Sequence, residues 1–429
     1  MQHPLYFVDG TDYPLDDFKG IAADFSKNPD ICVIRGDSFQ FKVVGVLCHC
    51  NKPIIIYPKN FKQQAKEHDK LSDARLLIRV ILRYRNESKV NTEETPFLYG
   101  NDGLSSGRIA AAFFLLDDYC RNGFLQRKYE YTNRKLGGRV DWNSTVNKEL
   151  PFLSQKNPIY LTPITRRKKL DETNLVVLTH KYIIHKCFCE WGCLFGYDGN
   201  INGLATIPAS IEEMLYHLKK ELRHTYIKRE SLVIKHLIQY LEEEQGTNSK
   251  KKIEIMATPC FYYVWEFICG YLMENQYASL KHLLPQPVWE SNSVEGRLSQ
   301  RPDIFSVIDE SLYILDAKYY DYNQTIPGWK DVVKQLFYRH SLRQVQTTER
   351  FTSHLPHTNY IFNGFLFPGN DEDISYLGRF HVPEASDLGE IKAFAINQKK
   401  AMIAYAYRNT QEFCNKLRLW ISESFSKKS

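Results

Sequence analysis

The chain has 429 residues, of which 43% are hydrophobic and 25% charged, and its formal net charge is +6. These values are ordinary for a globular protein of two or three domains, and they exclude a low-complexity chain. The small positive balance is compatible with a nucleic-acid partner without requiring one. The sequence shows neither a signal-peptide start nor an uncharged stretch of about 18 residues, so we expect a cytoplasmic protein with no membrane span.

The predicted elements divide the chain into three domains. Residues 1–150 are predicted to be a β-rich N-terminal domain, because short apolar runs alternate there with turn residues. Residues 151–248 are predicted to be a helical middle segment. Residues 249–429 follow a charged, turn-rich boundary and are predicted to be an α/β domain. The chain as a whole is therefore expected to be α+β.

Local patterns place several elements within these domains. The β-rich domain is expected to contain strands over 31–61, helices at 62–83 and 107–121, and an exposed loop at 85–103. The middle segment is expected to contain three helices, at 173–196, 208–227 and 229–245.

The sequence GGRVDW ends the first domain. Its two glycines permit a sharp turn or a close approach of the backbone. The glycines are followed by Arg139, Asp141 and Trp142. One hypothesis is that an exposed Arg139 reaches a neighbouring subunit. The alternative is a structural turn capped by a buried Trp142.

Cysteines in the middle segment could indicate a metal site. Cys187, Cys189 and Cys193 form C-x-C-x-x-x-C. This spacing lacks the paired C-x-x-C of structural zinc sites, and the surrounding segment is an apolar helix. We therefore favour packing of these cysteines in the core, as small hydrophobic side chains.

The most informative segment is RPDIFSVIDESLYILDAKYY, residues 301–320. Apolar residues alternate on both sides of Asp309 and Glu310, which predicts two strands joined by a two-residue turn. With that turn, Asp303 falls opposite Asp316.

Lys318 lies two residues after Asp316 and therefore points to the same face. Two carboxylates and an ammonium group thus converge at the open end of the hairpin. Burying unpaired charge is costly, so stability alone does not explain this placement. The letters P-D, twelve residues and D-x-K match the pattern of PD-(D/E)xK nucleases. The alternative is a surface hairpin whose Asp316 and Lys318 are solvated or paired with each other.

Two predicted helices flank the hairpin. The helix at 261–275 carries Glu266 among apolar residues, and the helix at 328–342 carries Lys334 and Gln335. Glu266 either completes a metal site or faces solvent. Gln335 either orients the nucleophile or touches the phosphate, or has neither role. Lys334 is expected to be solvated.

The chain resembles LlaJI-type restriction endonucleases, which are similar to the McrC family. The resemblance rests on VGVLCHCNKPIIIYPKNF, GGRVDWNSTV, FYYVWE, RPD, DAKYY and KQ, which occur in the order of that family's landmarks. It covers most of the chain but no landmark lies in residues 150–245. It implies a C-terminal PD-(D/E)xK domain that cuts double-stranded DNA, and an N-terminal domain that docks on an AAA+ GTPase ring and stimulates its hydrolysis.

The resemblance also implies roles for individual residues. Asp303, Asp316 and the carbonyl of Ala317 would hold Mg²⁺ or Mn²⁺, with Glu266 as a further ligand. Lys318 would position the attacking water or neutralise the phosphate. The sequence has no G-x-x-x-x-G-K-[ST] loop, so we expect no nucleotide bound through a P-loop by this chain.

Cutting both strands of DNA requires two sites, so pairing of nuclease domains is expected. Two other functions remain open at this point. One is an inactive adaptor of an AAA+ ring, and the other is a stand-alone, structure-specific nuclease. The long N-terminal part has no recognisable DNA-reading motif, which favours a partner that recognises the DNA.

Overall fold

The computed structural model shows a mixed α and β protein, as the sequence predicts. The structure describes residues 4–18, 25, 28–49, 52–62, 65–87, 104–105, 107–134, 138–154, 157–195, 201–246, 253–290, 295–355, 358, 360–408 and 411–426. Within these ranges, no helix is both long enough and apolar enough to cross a bilayer.

The chain folds into two compact units. The smaller unit comprises residues 107–250, and the larger unit comprises residues 2–106 together with 251–429. The larger unit is discontinuous because the strand Ile253–Thr258 pairs with the strand Val44–His49 in one sheet. The chain therefore returns, after the smaller unit, to a sheet begun by its N-terminal part.

The three predicted domains, 1–150, 151–248 and 249–429, do not coincide with these units. The β-rich range is divided near residue 107, and its second part joins the helical middle segment. The physical reason is the long-range strand pairing across residue 249, which no local sequence pattern reveals.

The first sheet of the larger unit has five described strands. Its order is Leu5–Val8, Lys52–Tyr57, Val44–His49, Ile253–Thr258 and Leu104–Ser105. A small antiparallel sheet of Asp12–Pro14, Ser38–Phe41 and Cys32–Arg35 packs beside it through buried aromatic residues, and a helix spans Glu67–Glu87. The strands predicted over 31–61 are confirmed. The loop predicted at 85–103 is wrong at its start, because residues 85–87 belong to the helix, and residues 88–103 lie outside the described residues.

The second sheet of the larger unit carries the predicted hairpin. Its order is Ile304–Ile308, Ser311–Ala317, Tyr360–Gly369, Glu390–Asn397 and Ile374–His381. The three central strands run parallel, and Ser311–Ala317 is buried along its whole length. Parallel strands covered on both faces require such continuous apolar sequence.

Helices cover this second sheet. The first site helix is Phe261–Leu272 and the second site helix is Trp329–Val345. The second site helix packs through Tyr338 and Leu342 against Phe305, Leu312 and other core residues. The remaining elements of this part are Tyr277–Leu280, Lys281–Leu283, Val288–Glu290, Glu295–Arg297, Glu349–Thr352, Ser386–Leu388, Gln398–Tyr407 and Gln411–Ser426.

The smaller unit contains the three helices predicted for the middle segment, at Leu175–Phe195, Ile211–His224 and Lys228–Gly246. The second begins at Ser210, whose side chain accepts a hydrogen bond from the backbone of Glu213, as expected of an N-cap residue. A further helix is Gly107–Asn122. The strands are Lys128–Asn133, Arg139–Val140 and Thr165–Leu170 in one sheet, and Phe152–Ser154 with Asn157–Ile159 in a hairpin.

The segment GGRVDW does not form a turn capped by a buried Trp142. Trp142 is 61% exposed, so the prediction of a buried Trp142 is wrong. Asp141 is the buried residue instead, and it caps the helix Trp142–Lys148 by accepting from the backbone and hydroxyl of Ser144. An ion pair with Arg166, at 2.8 Å, also holds the pKa of Asp141 well below its usual range. Arg139 is exposed.

Cys187 is fully buried, as core packing predicts, and burial raises the pKa of its thiol. The prediction of core packing is wrong for Cys189, which is exposed, and the side chain of Cys193 lies outside the described part of the structure. His180 is buried as well and accepts a hydrogen bond from the backbone of Leu125. These contacts give Cys187 and His180 structural roles in the core of the smaller unit.

Candidate active site

The hairpin has the predicted turn and register. Asp309 and Glu310 both have positive φ, at 45° and 60°, which is the conformation of a two-residue type I′ turn. Ile308 pairs with Ser311 beside the turn. At the open end Ile304 pairs with Leu315, so the next position places Asp303 opposite Asp316.

Asp303 is tied to the second strand of the hairpin. Its Oδ2 accepts a hydrogen bond from the backbone N–H of Ala317, at 3.1 Å. Asn275, just after the first site helix, donates to the carbonyl of Asp303 and accepts from the N–H of Phe305. Asn275 thus joins the first site helix to the hairpin. An asparagine in this role gives no recognisable sequence signal.

Asp316 carries the closest charge contacts of the site. Its side chain is only 3% exposed, and Nζ of Lys318 lies 2.6 Å from Oδ2, as an ion pair and not as an aligned hydrogen bond. Nζ of Lys334 donates to the other oxygen, Oδ1, at 3.2 Å. The prediction that Lys334 is merely solvated is therefore wrong.

Asp331 was not singled out from the sequence. Its Oδ1 accepts a hydrogen bond from Nζ of Lys318 at 2.7 Å. It precedes Lys334 by three residues on the second site helix, so both side chains reach the same region. That i, i+3 spacing is the signal that could have identified it.

Gln335 is not brought to this cluster. It is fully buried, and its Nε2 donates to the carbonyls of Ile314, at 2.9 Å, and Gly364, at 3.4 Å. The backbone carbonyl of Gln335 accepts a hydrogen bond from Nδ2 of Asn363. The geometry assigns Gln335 to the attachment of the second site helix to the sheet.

Glu266 faces the cluster from the first site helix. Burial, with the nearby charges of Asp303 and Asp316, raises the pKa of Glu266 to about 8. Burial and the charge of Asp316 also raise the pKa of Asp303 to about 7. Burial opposes the charge of Lys318, but Asp316 and Asp331 outweigh it, so its pKa lies above the usual range. Because the charges of Asp303 and Asp316 act on Glu266, and that of Asp316 acts on Asp303, the three carboxylates lie close to one another.

The donor set has the chemistry and the charge for a divalent cation. Four carboxylates, those of Glu266, Asp303, Asp316 and Asp331, face the two ammonium groups of Lys318 and Lys334. Carboxylate oxygens suit hard cations, and once Asp303 and Glu266 lose their protons the excess of negative charge matches one such cation. Across the described residues, however, no three metal-ligating side chains are arranged around a common point. The two lysines hold Asp316 instead.

Known proteins are similar to this chain in sequence and in structure. The family model described as LlaJI restriction endonuclease matches residues 43–395. The protein named "Type II restriction enzyme BsuMI component YdjA", from Bacillus subtilis (strain 168), is 27% identical over an alignment of 353 residues. The match covers 77% of this chain and 73% of that protein.

Two solved structures from Thermococcus gammatolerans are also similar. A refined half-complex from the tetradecameric assembly of McrB AAA+ hexamers with bound McrC contains a chain 13% identical to this one. The match covers 94% of this chain and 98% of that one, with a TM-score of 0.42. In the cryo-EM structure of the McrBC complex, the match is 14% identical, covers 56% of this chain and 79% of that one, and has a TM-score of 0.24.

Proposed function

Because this chain belongs to the LlaJI restriction endonuclease family, we propose that it is the DNA endonuclease subunit of a nucleotide-dependent restriction system. It would hydrolyse phosphodiester bonds with the help of a divalent metal ion. The observation that carries this proposal is the hairpin, whose register brings Asp303 and Asp316 together beside Lys318.

The metal would be held by Asp303 and Asp316, with Glu266 and the backbone carbonyl of Ala317 as further ligands. Oδ2 of Asp303 accepts from Ala317, which orients its other oxygen. Magnesium or manganese would supply the positive charge that stabilises the phosphate as negative charge builds on it. Both Asp303 and Glu266 must lose their protons to serve as ligands.

Lys318 would act through its positive charge. Its ammonium group is held by two carboxylates, which favour the protonated form. A protonated Nζ can donate hydrogen bonds to a phosphate oxygen or to the attacking water, but it cannot accept a proton from that water. Lys334, which is half-exposed beside Asp316, is placed to offer a second positive charge to the same phosphate.

Plasmid cleavage with Mg²⁺ tests this function. We compare the wild type with Asp316→Ala and Lys318→Ala, each with and without the AAA+ partner and GTP, and use thermal melting to control for folding. Cleavage that requires both residues, the partner and the nucleotide supports the proposal. Cleavage without the partner would favour a stand-alone nuclease. Cleavage by Asp316→Ala at the wild-type rate would show that the site is misassigned.

The partner would be an AAA+ GTPase ring, as the family resemblance implies. Absence of a G-x-x-x-x-G-K-[ST] loop in this sequence is consistent with a motor on a separate chain. We propose that the docking contact is made by five large apolar side chains of the smaller unit, here called the apolar surface. Each of them is between 61% and 95% exposed: Trp142, Leu150, Phe152, Leu153 and Leu161. Such exposure of large apolar residues is typical of interaction sites.

Substitution within this apolar surface tests docking. Phe152→Asp should abolish binding of the AAA+ ring and the stimulation of its GTP hydrolysis, because it buries a charge in the contact. Arg139→Ala should lower stimulation if Arg139 reaches the partner. Tyr226→Ser is the matched control, since Tyr226 is 92% exposed elsewhere in the same unit. Wild-type stimulation by Phe152→Asp would remove this surface from the proposal.

Two such subunits would be needed to cut both strands of a duplex. We therefore expect nuclease domains to pair on DNA. Mixing the wild type with Lys318→Ala should raise the share of nicked over linear plasmid, because a mixed pair can cut only one strand. An unchanged ratio would argue against pairing.

A further inference from the structure

Lys318 is shared between two carboxylates with different surroundings. Its Nζ lies 2.6 Å from Oδ2 of Asp316 and 2.7 Å from Oδ1 of Asp331. The Asp316 side chain is 3% exposed, whereas that of Asp331 is 35% exposed. The proposed metal would require the Asp316 oxygens, so Lys318 and the metal compete for the same carboxylate. Asp331 is the acceptor that remains available to Lys318.

The position of Asp331 is set by the second site helix. Asp331 lies in the first turn, and its N–H donates to the carbonyl of the N-cap residue Gly328 at 3.0 Å. An acidic residue in the first turn also interacts favourably with the helix dipole, which gives Asp331 a purely structural explanation. That explanation does not account for the contact with Lys318, because the dipole effect needs no ammonium partner.

We propose that Asp331 is a positioning residue: it holds the ammonium group of Lys318 by itself when Asp316 binds the metal. This inference rests on the proposed function. If the Lys318 ammonium group kept its contact with Asp331 and gave up its contact with Asp316, an oxygen of Asp316 would become free for the metal. Lys318 would still lie beside the phosphate. Without Asp331, Lys318 would remain on Asp316 and oppose metal binding.

The inference makes the effect of Asp331 on metal affinity depend on Lys318. Asp331→Asn should weaken Mn²⁺ binding, because Lys318 then has Asp316 as its remaining carboxylate partner among the described residues. Lys318→Gln should strengthen Mn²⁺ binding, because the competing cation is gone. In the Lys318→Gln background, Asp331→Asn should have little further effect. If Asp331 acted only by long-range attraction of the metal, its loss would weaken binding equally in both backgrounds.

Isothermal titration calorimetry of the full chain with Mn²⁺, in the absence of DNA, measures this directly. The four proteins of the cycle are the wild type, the two single variants and the double variant. We expect Asp331→Asn to raise the Kd about tenfold with Lys318 present, which corresponds to about 1.4 kcal/mol, and to leave it nearly unchanged with Gln at 318. Asp331→Glu should restore the affinity, and Glu384→Gln is the control for loss of an exposed acid.

The possible outcomes separate the inference from the proposed function. Equal weakening in both backgrounds, or no weakening in either, overturns the role of Asp331 and leaves the nuclease proposal intact. Loss of thermal stability without the background-dependent change in Kd would indicate the structural explanation and overturn the role as well. Failure of the wild type to bind Mn²⁺ would overturn both proposals.

Discussion

Replacement of Gln335 by leucine distinguishes a structural role from a role in the chemistry. Gln335 is fully buried, and its Nε2 donates to the carbonyls of Ile314 and Gly364 on neighbouring strands. Leucine keeps a similar volume but removes both hydrogen bonds. We therefore expect Gln335→Leu to lower the free energy of unfolding of the larger unit and to leave Mn²⁺ affinity unchanged.

The size of this effect follows from the contacts. A hydrogen bond contributes about 1 kcal/mol net, and the bond to Gly364, at 3.4 Å, contributes less. Among the described residues no donor reaches Oε1 of Gln335, so its removal offsets part of the loss. Gln335→Leu should therefore cost about 1 kcal/mol. Gln335→Ala also leaves a cavity and should cost about 2 kcal/mol more.

Urea unfolding followed by hydrogen exchange of the peptide Ser311–Ala317 reads the stability of the larger unit separately. Mn²⁺ titration and plasmid cleavage complete the measurement. The structural reasoning is refuted if Gln335→Leu unfolds like the wild type and yet fails to cut DNA. That result would restore the earlier hypothesis that Gln335 orients the nucleophile or touches the phosphate.

Two further predictions concern the charges of the site. The folded chain without metal should lose stability as the pH rises from about 5 to 8. In the folded chain the pKa values of Asp303 (about 7) and Glu266 (about 8) are raised, so both carboxyl groups keep their protons in this range. The unfolded chain releases the same protons near pH 4, and a rising pH therefore favours unfolding. Thermal melting should show a smaller pH effect in Glu266→Gln, and an identical pH dependence would contradict this assignment. Lys334→Ala should tighten Mn²⁺ binding severalfold, because it removes a cation from Oδ1 of Asp316; weaker binding in calorimetry would disprove the competition.

The hairpin could be predicted from sequence because a two-residue turn and a period of two determine its register completely. Once Asp309 and Glu310 form the turn, the position of Asp303 opposite Asp316 follows. The helices could be predicted within a few residues for a similar reason, since local apolar spacing defines them.

Positions around the second site helix could not be predicted in the same way. Lys334 and Gln335 are adjacent, and consecutive helical residues point about 100° apart. The sequence does not reveal the rotation of this helix against the sheet. Lys334, expected to be solvated, therefore contacts Asp316, whereas Gln335, the site candidate, is buried against the sheet. Trp142 was misplaced for a related reason, because a large apolar side chain in a folded chain is usually buried unless it serves a contact with another molecule.

The discontinuous larger unit has a consequence for folding during synthesis. The strand Val44–His49 lies between Lys52–Tyr57 and Ile253–Thr258, so one of its two neighbours is made long after it. At about 5–20 residues per second, a ribosome needs roughly 10 to 40 s to make the intervening chain. During that interval the smaller unit can complete its own core, while the buried strand Val44–His49 exposes an unpaired edge. Aggregation of nascent chains should therefore begin at this edge, and slower translation of residues 107–250 should increase the demand for chaperones.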